Sequence, residues 1–217
     1  MVEPPPRRYG YVRDPAEIYR RSFAAIRDQA DLSALPPDAE SVAVRMIHAC
    51  GEVGLTADLA CHPRLVATAR KALQAGVPIF TDAQMIACGI TRRRLPAQNA
   101  IHCLLHDDRT PVLASRWGTT RSAAAVSLWG DELAGAVVAI GNAPTALFHL
   151  LELIADGGPR PAAILGLPVG FVGAAESKVA LAENPWDLPY LVVHGRRGGS
   201  ALCVAAVNAL AQEAEIE

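Results

Sequence analysis

From Val77 to the C-terminus, short apolar runs alternate with segments of helical length, and few folds accept that rhythm. The pattern predicts strands over 77–81, 100–105, 136–140, 162–165 and 190–193, with helices over 82–88, 120–133, 143–155, 173–182 and 200–212. Ahead of the alternation, Pro15 at a helix start and Tyr19, Phe23, Ile26 and Ala30 at helical spacing predict a helix that ends before Pro36-Pro37. Two more helices are predicted, from Asp38 to Cys50 and from Pro63 to Gln74. Five strands separated by helices require parallel pairing, right-handed crossovers and helices on both sheet faces. The expected fold class is therefore α/β: a three-layer α/β/α, flavodoxin-like or Rossmann-like architecture with a mainly parallel five-stranded sheet. Residues 1–13 carry a Pro run and predict an extended N-terminal arm, followed by a single domain over 14–217. The last helix is apolar nearly all round, so it is either buried or part of a subunit contact.

Three of the predicted turns set the chemistry. WGTTRSAAA (117–125), AIGNAPTALF (139–148) and LPVGFVGAAESK (167–178) place Gly, Asn, Thr or Ser between an apolar run and a helix. In a parallel sheet such turns gather at the carboxyl ends of the strands, where free N–H groups and helix dipoles favour carboxylates or phosphates. An anionic ligand is expected. The chain's own charge, −2 overall, indicates neither a nucleic-acid surface nor an acidic tail. No apolar stretch approaches the roughly 20 residues of a membrane span, and no secretory segment is visible, so a cytoplasmic protein is expected. Five scattered cysteines without a C-x-x-C read as reduced thiols. Dinucleotide, P-loop and G-x-S-x-G signatures are all missing.

Among single residues, His48 in RMIHACG stands near a helix C-terminus, where an imidazole can deliver or take a proton near neutral pH. A half-buried histidine bonding a carbonyl is the plainer alternative. Ser22 lies with Ile18 and Ile26 on one helix stripe, and it could equally bond its own backbone. Arg121 follows Gly118-Thr119-Thr120 at a helix start, where guanidinium, hydroxyls and N–H groups could grip a carboxylate. Equally, Thr119 or Thr120 could cap the helix and leave Arg121 in solvent. Arg92-Arg93-Arg94 and Arg196-Arg197 could neutralise acidic groups or form solvated loops. The His48/Cys50, Cys61-His62 and His102-Cys103/His106 clusters fit no zinc spacing, so no metal site is expected.

Taken together, RMIHACG, ITRRRLPA, GTTRSAAA, AIGNAPTALFHLLE, PVGFVGAAESK and GRRGGSA resemble the precorrin-8X methylmutase family, isomerases of cobalamin biosynthesis, from about Tyr11 to the final helix. The resemblance implies a 1,5-sigmatropic shift of a methyl group from C-11 to C-12 of a tetrapyrrole. Precorrin-8X would become hydrogenobyrinic acid, or the cobalt-containing substrate would become the cobalt-containing equivalent of that product. It also implies a homodimer, with no cofactor and no redox step. His48 corresponds to the proton donor, and Ser22, beside Phe23, to a substrate contact. Thr91, Thr120, Arg121, Arg45, Asp82 and Asn142 are implied as further substrate-binding residues. Glu52-Val53-Gly54 and His106-Asp107-Asp108 are local departures from the family pattern. The physics is compatible, because helix starts and arginines suit the acid rim of a macrocycle while apolar walls suit its ring. Two other readings stand beside this one. A corrinoid carrier would need the same rim but no proton donor, and a phosphate- or flavin-binding module rests on architecture alone.

Overall fold

The chain was analysed as a computed structural model that describes residues 2–215. Its helices are α1 (Pro15–Gln29), α2 (Glu40–Cys50), α3 (Leu65–Gln74), α4 (Gln84–Gly89), α5 (Arg109–Trp117), α6 (Arg121–Val126), α7 (Pro144–Ala155), α8 (Ala174–Ala182) and α9 (Ser200–Ala211). Its strands are β1 (Leu59–Cys61), β2 (Ile79–Thr81), β3 (Ile101–His102), β4 (Val137–Ile140), β5 (Ala163–Gly166) and β6 (Tyr190–Val193). They form one sheet in the order β1-β6-β5-β4-β2-β3. All neighbours pair in parallel except β1, which runs antiparallel to β6 with Leu59 opposite Val193.

The sheet thus has six strands rather than the five expected. The extra one, β1, is three residues long, too short to display a period of two. The sequence pattern also does not predict α5, because Pro111 reads as a breaker. It occupies the third helical position, where the N–H has no intrahelical partner to lose. The helix expected over 120–133 changes to a 3-10 helix at Ser127, and Gly130, at φ 57° and ψ −151°, lies outside helical geometry. Strand 100–105 shortens to β3, after which Leu104–His106 turns as a 3-10 helix.

Side chains leave the strands to alternate faces and split the core in two. Ile79, Val137, Ala139, Leu165 and Val193 pack with α1, α2, α3, α4 and α9. Phe80, Val138, Ile140, Ile164 and Val192 pack with α6, α7 and α8 on the other side. Each buried Leu, Ile or Phe contributes about 1.5–3 kcal/mol relative to exposure. Of the two readings for the last helix, the structure shows burial within the chain. From Leu202 to Ala211 every residue of α9 except Val204 is buried.

The parallel strands reverse their winding between β2 and β4, and such reversals are where open α/β sheets place ligands. Here the chain fills that place itself. Asp82, directly after β2 and 3% exposed, accepts hydrogen bonds from the N–H groups of Gly141 (3.0 Å), Asn142 (3.0 Å) and Ala143 (2.6 Å) at the entry to α7. Burial pushes the Asp82 pKa up, while the three donors pull it down. Asp82→Ala would strand those donors in a buried turn and is expected to cost about 3 kcal/mol, lowering the urea midpoint. A loss below about 1 kcal/mol would mean that the turn holds without its carboxylate.

Candidate active site

Helix α1 starts cleanly because the Asp14 carboxylate accepts from the Ala16 N–H and Pro15 stands in the first turn. It then lays Tyr19, Ser22, Phe23 and Ile26 at i, i+3, i+4 and i+7 along one face. Phe23 and Ile26 enter the core beside α2, while Ser22 stays at its margin. The C-terminal turn of α2 meets that margin. Ser22 Oγ and His48 Nδ1 lie 2.8 Å apart, within hydrogen-bond distance. The imidazole also stands edge-on to Phe23, at 5.2 Å between centroids, and tilted against Tyr19, at 5.4 Å. With Nδ1 engaged and two rings fixing the plane, Nε2 is the nitrogen left for a ligand, and it has no hydrogen-bond partner among the described residues.

His48 is exposed, yet its pKa lies below the ordinary imidazole value. The desolvating rings are the larger cause, and the Arg45 guanidinium one turn earlier on α2 is the second. Without a ligand the ring therefore favours its neutral form near pH 7. Negative charge brought close to it would restore the proton.

Two recesses border this turn of α2. One, of about 360 Å³, is lined by Tyr19, Arg45, Thr91, Arg93, Arg94 and Glu215, among others. The C-terminal segment already lies against its arginines. Arg45 donates to the Glu215 carbonyl at 2.5 Å, and Arg27 pairs with the Glu215 carboxylate. Arg94, 5% exposed, donates to the carbonyls of Asn208 (3.0 Å) and Ala214 (2.7 Å), so it serves the end of α9. Thr91 is half-buried, and its N–H donates to Asn208 Oδ1 at 2.9 Å. The other recess, of about 350 Å³, is lined by Cys50, Leu55, Phe171, Arg196, Arg197 and Leu202, among others. There Arg197 is committed to Asp58 and Glu52, whereas Arg196 is exposed, lies 5.1 Å from the Phe171 ring centroid and has no ion pair among the described residues.

The expected site residues thus fall into separate groups. His48, Ser22, Arg45 and Thr91 lie at the α1–α2 margin or in the recess beside it. Thr120, Arg121 and Asn142 stand at the starts of α6 and α7, and neither they nor Asp82 lines either recess. Thr120 is the N-cap of α6, accepting from the Ala123 N–H at 3.1 Å and sharing a 2.7 Å hydroxyl contact with Thr145. Arg121 and Asn142 are exposed. Asp82 is consumed by the turn it caps. Tyr19, unremarked as a site residue in the sequence, belongs to the His48 environment, and its place on the stripe three residues before Ser22 was the available signal. Among the described residues no group of three His, Cys, Asp or Glu side chains is placed to hold a metal ion. Likewise, no helix there is long and apolar enough to cross a membrane.

A hydroxyl-oriented imidazole flanked by arginine-bearing recesses, on a mostly parallel α/β sheet, has the groups to exchange a proton beside an anionic ligand. Comparison with known proteins makes this particular. The sequence model of the CbiC precorrin-8X methylmutase family matches residues 17–213. The chain is 59% identical over 204 residues to the precorrin-8X methylmutase of Sinorhizobium sp, covering 94% of this chain and 97% of that one. It is 56% identical over 205 residues to that of Pseudomonas aeruginosa, covering 94% and 99%. Identity to the cobalt-precorrin-8 methylmutase of Priestia megaterium is 34% over 197 residues, covering 90% and 87%. The solved structure of precorrin-8x methyl mutase from Thermus thermophilus superposes with a TM-score of 0.80 at 40% identity, covering 89% and 94%. This chain belongs to the precorrin-8X methylmutase family.

Proposed function

We propose that His48 is the proton donor of a methyl shift from C-11 to C-12 of a tetrapyrrole bound across the end of α2. The activity is the family's own, that of a methylmutase in cobalamin biosynthesis. The observation that carries the role of His48 is its 2.8 Å contact with Ser22. Ser22 fixes one ring nitrogen and leaves the other for the substrate. A macrocycle with its acid side chains is larger than either recess, so its rim extends towards Arg45 and Thr91 on one side and Arg196 on the other. Its carboxylates bring the negative charge that lifts the His48 pKa, and the donor becomes protonated where it is needed. Protonating a conjugated nitrogen weakens the bond from the neighbouring quaternary carbon to its methyl group, and positioning supplies the rest. Thr120, Arg121 and Asn142 remain in this reading as a second acid-binding group, with Asp82 supporting it through the turn. A corrinoid carrier would have no use for the Ser22–His48 pair.

Three finer points complete the proposal. The five parallel strands, counted in chain order, lie in the order 2-1-3-4-5, which supports a flavodoxin-like winding with β1 added at the edge. The substrate is the metal-free form, because the relatives above 55% identity carry that name and the cobalt-named one stands at 34%. Phe171 and Val172, 85% and 88% exposed, offer an apolar contact for a homodimer. Sedimentation equilibrium giving the mass of one copy would remove the dimer from the proposal.

The test is kinetic. His48→Ala is expected to lower kcat by about 10²–10⁴-fold. It should leave the dissociation constant for hydrogenobyrinic acid within a few-fold. Assayed alongside, the unaltered protein should show the higher kcat/KM with metal-free precorrin-8X than with the cobalt-bearing form. Full turnover by His48→Ala would transfer the proton to another residue, and a preference for the cobalt form would reverse the substrate assignment.

A further inference from the structure

Lys178, on α8, is 0% exposed, and lysines almost never occur at such positions unless a partner holds them. Its Nζ donates to the carbonyl of Arg197 at 2.6 Å, and Asp58 is near enough to favour its charge. Burial nevertheless pulls its pKa down to about 8. A leucine or methionine could fill the same volume without that cost. What an ammonium adds is a directed, charge-assisted bond to one backbone oxygen.

That oxygen belongs to a segment tied down on every side. The Gly170 N–H donates to the Arg196 carbonyl at 3.2 Å, and the Gly199 N–H donates to the Leu167 carbonyl at 2.8 Å. Gly198, at φ 158°, passes so close to Leu167 that a Cβ would sit 2.3 Å from its carbonyl oxygen. The Arg197 side chain is anchored on Asp58, Glu52 and the Gly54 carbonyl. Among the described residues this leaves Arg196, held against Phe171, as the arginine that lines the recess of about 350 Å³ without an ion pair. Lys178 itself lines neither of the two recesses beside α2.

We infer that Lys178 is a positioning residue for substrate binding, whose ammonium fixes the 195–199 loop in the conformation that aims Arg196 into the recess formed by Cys50, Leu55, Phe171 and Leu202. The inference rests on the reading above, in which this recess receives a carboxylate of the macrocycle. It acts on affinity, because Lys178 bonds the loop and is not among the contacts of His48.

The experiment is a double-mutant cycle in the full-length protein, with steady-state kinetics on precorrin-8X. Lys178→Met and Arg196→Gln are each expected to raise KM about tenfold with kcat within about twofold, the loss of one charge-assisted contact. The double variant should show no more than the larger single effect, because both changes remove the same interaction. A role confined to fold stability would instead lower Tm and leave KM unmoved. Should Lys178→Met fail to fold, Lys178→Gln, which keeps an N–H donor, takes its place in the cycle with an expected KM rise of about threefold. If Arg196→Gln raises KM and neither Lys178 variant does, or if the effects multiply, the positioning role is overturned and the substrate reading of the recess survives. If Arg196→Gln leaves KM unchanged, the recess does not take the substrate acid and both fall.

Discussion

Two oxygens of Asp82 hold three backbone N–H groups at the entry to α7, and that capture joins the end of β2 to the turn after β4 at the centre of the sheet. In a parallel α/β sheet the reversal of winding opens a crevice, and the helix start beside it attracts phosphates and carboxylates. Here those donors are already satisfied by a carboxylate 3% exposed to solvent, so these three N–H groups are not free for the phosphate or flavin that the architecture alone would invite. The same bonds tie β2 to β4 through the 141–143 turn and keep α7 against α6 and α8. Gly141 also packs against Gly199 and Cys203, so the recess lined by Gly198, Ala201 and Leu202 stands beside this turn, whereas the other is lined from α1, α2 and the 91–94 segment.

What surrounds His48 suits it to the role proposed for it. Phe23 and Tyr19 exclude water from part of the ring, Arg45 repels its charge, and Ser22 fixes Nδ1. Each effect alone is ordinary for a surface histidine. On the proposed reading, together they favour a neutral imidazole in the free protein and let arriving carboxylates restore its proton, which would couple protonation to substrate binding. A donor already charged at neutral pH would lack that coupling.

The sequence made much of this legible, and physics explains what it concealed. Strand β6 is found over the residues that its apolar run predicts, and α2, α7 and α9 begin and end within two residues of expectation, because runs and periodicities of that length carry clear patterns. Strand β1 has three residues and α5 conceals a first-turn proline, so neither displays a pattern. The pairing of Ser22 with His48 was not derivable from spacing, since 26 residues and a loop separate them. Resemblance to a family brought the two residues onto one list, and the packing of α1 on α2 brought them together in space. Asp82 shows the converse. The resemblance implies it as a substrate contact, and three backbone donors 59 to 61 residues later in the chain reveal that its carboxylate also holds the fold.

The central claim is that substrate acids switch on a proton donor at His48. Titration of the His48 imidazole by NMR, in protein labelled at histidine and with His48→Gln to assign the signal, tests it most directly. In the free protein the ring should titrate below the ordinary imidazole value of about 6.5. With hydrogenobyrinic acid bound it should remain protonated through neutrality. An imidazole that titrates at the same pH in both states would contradict the account.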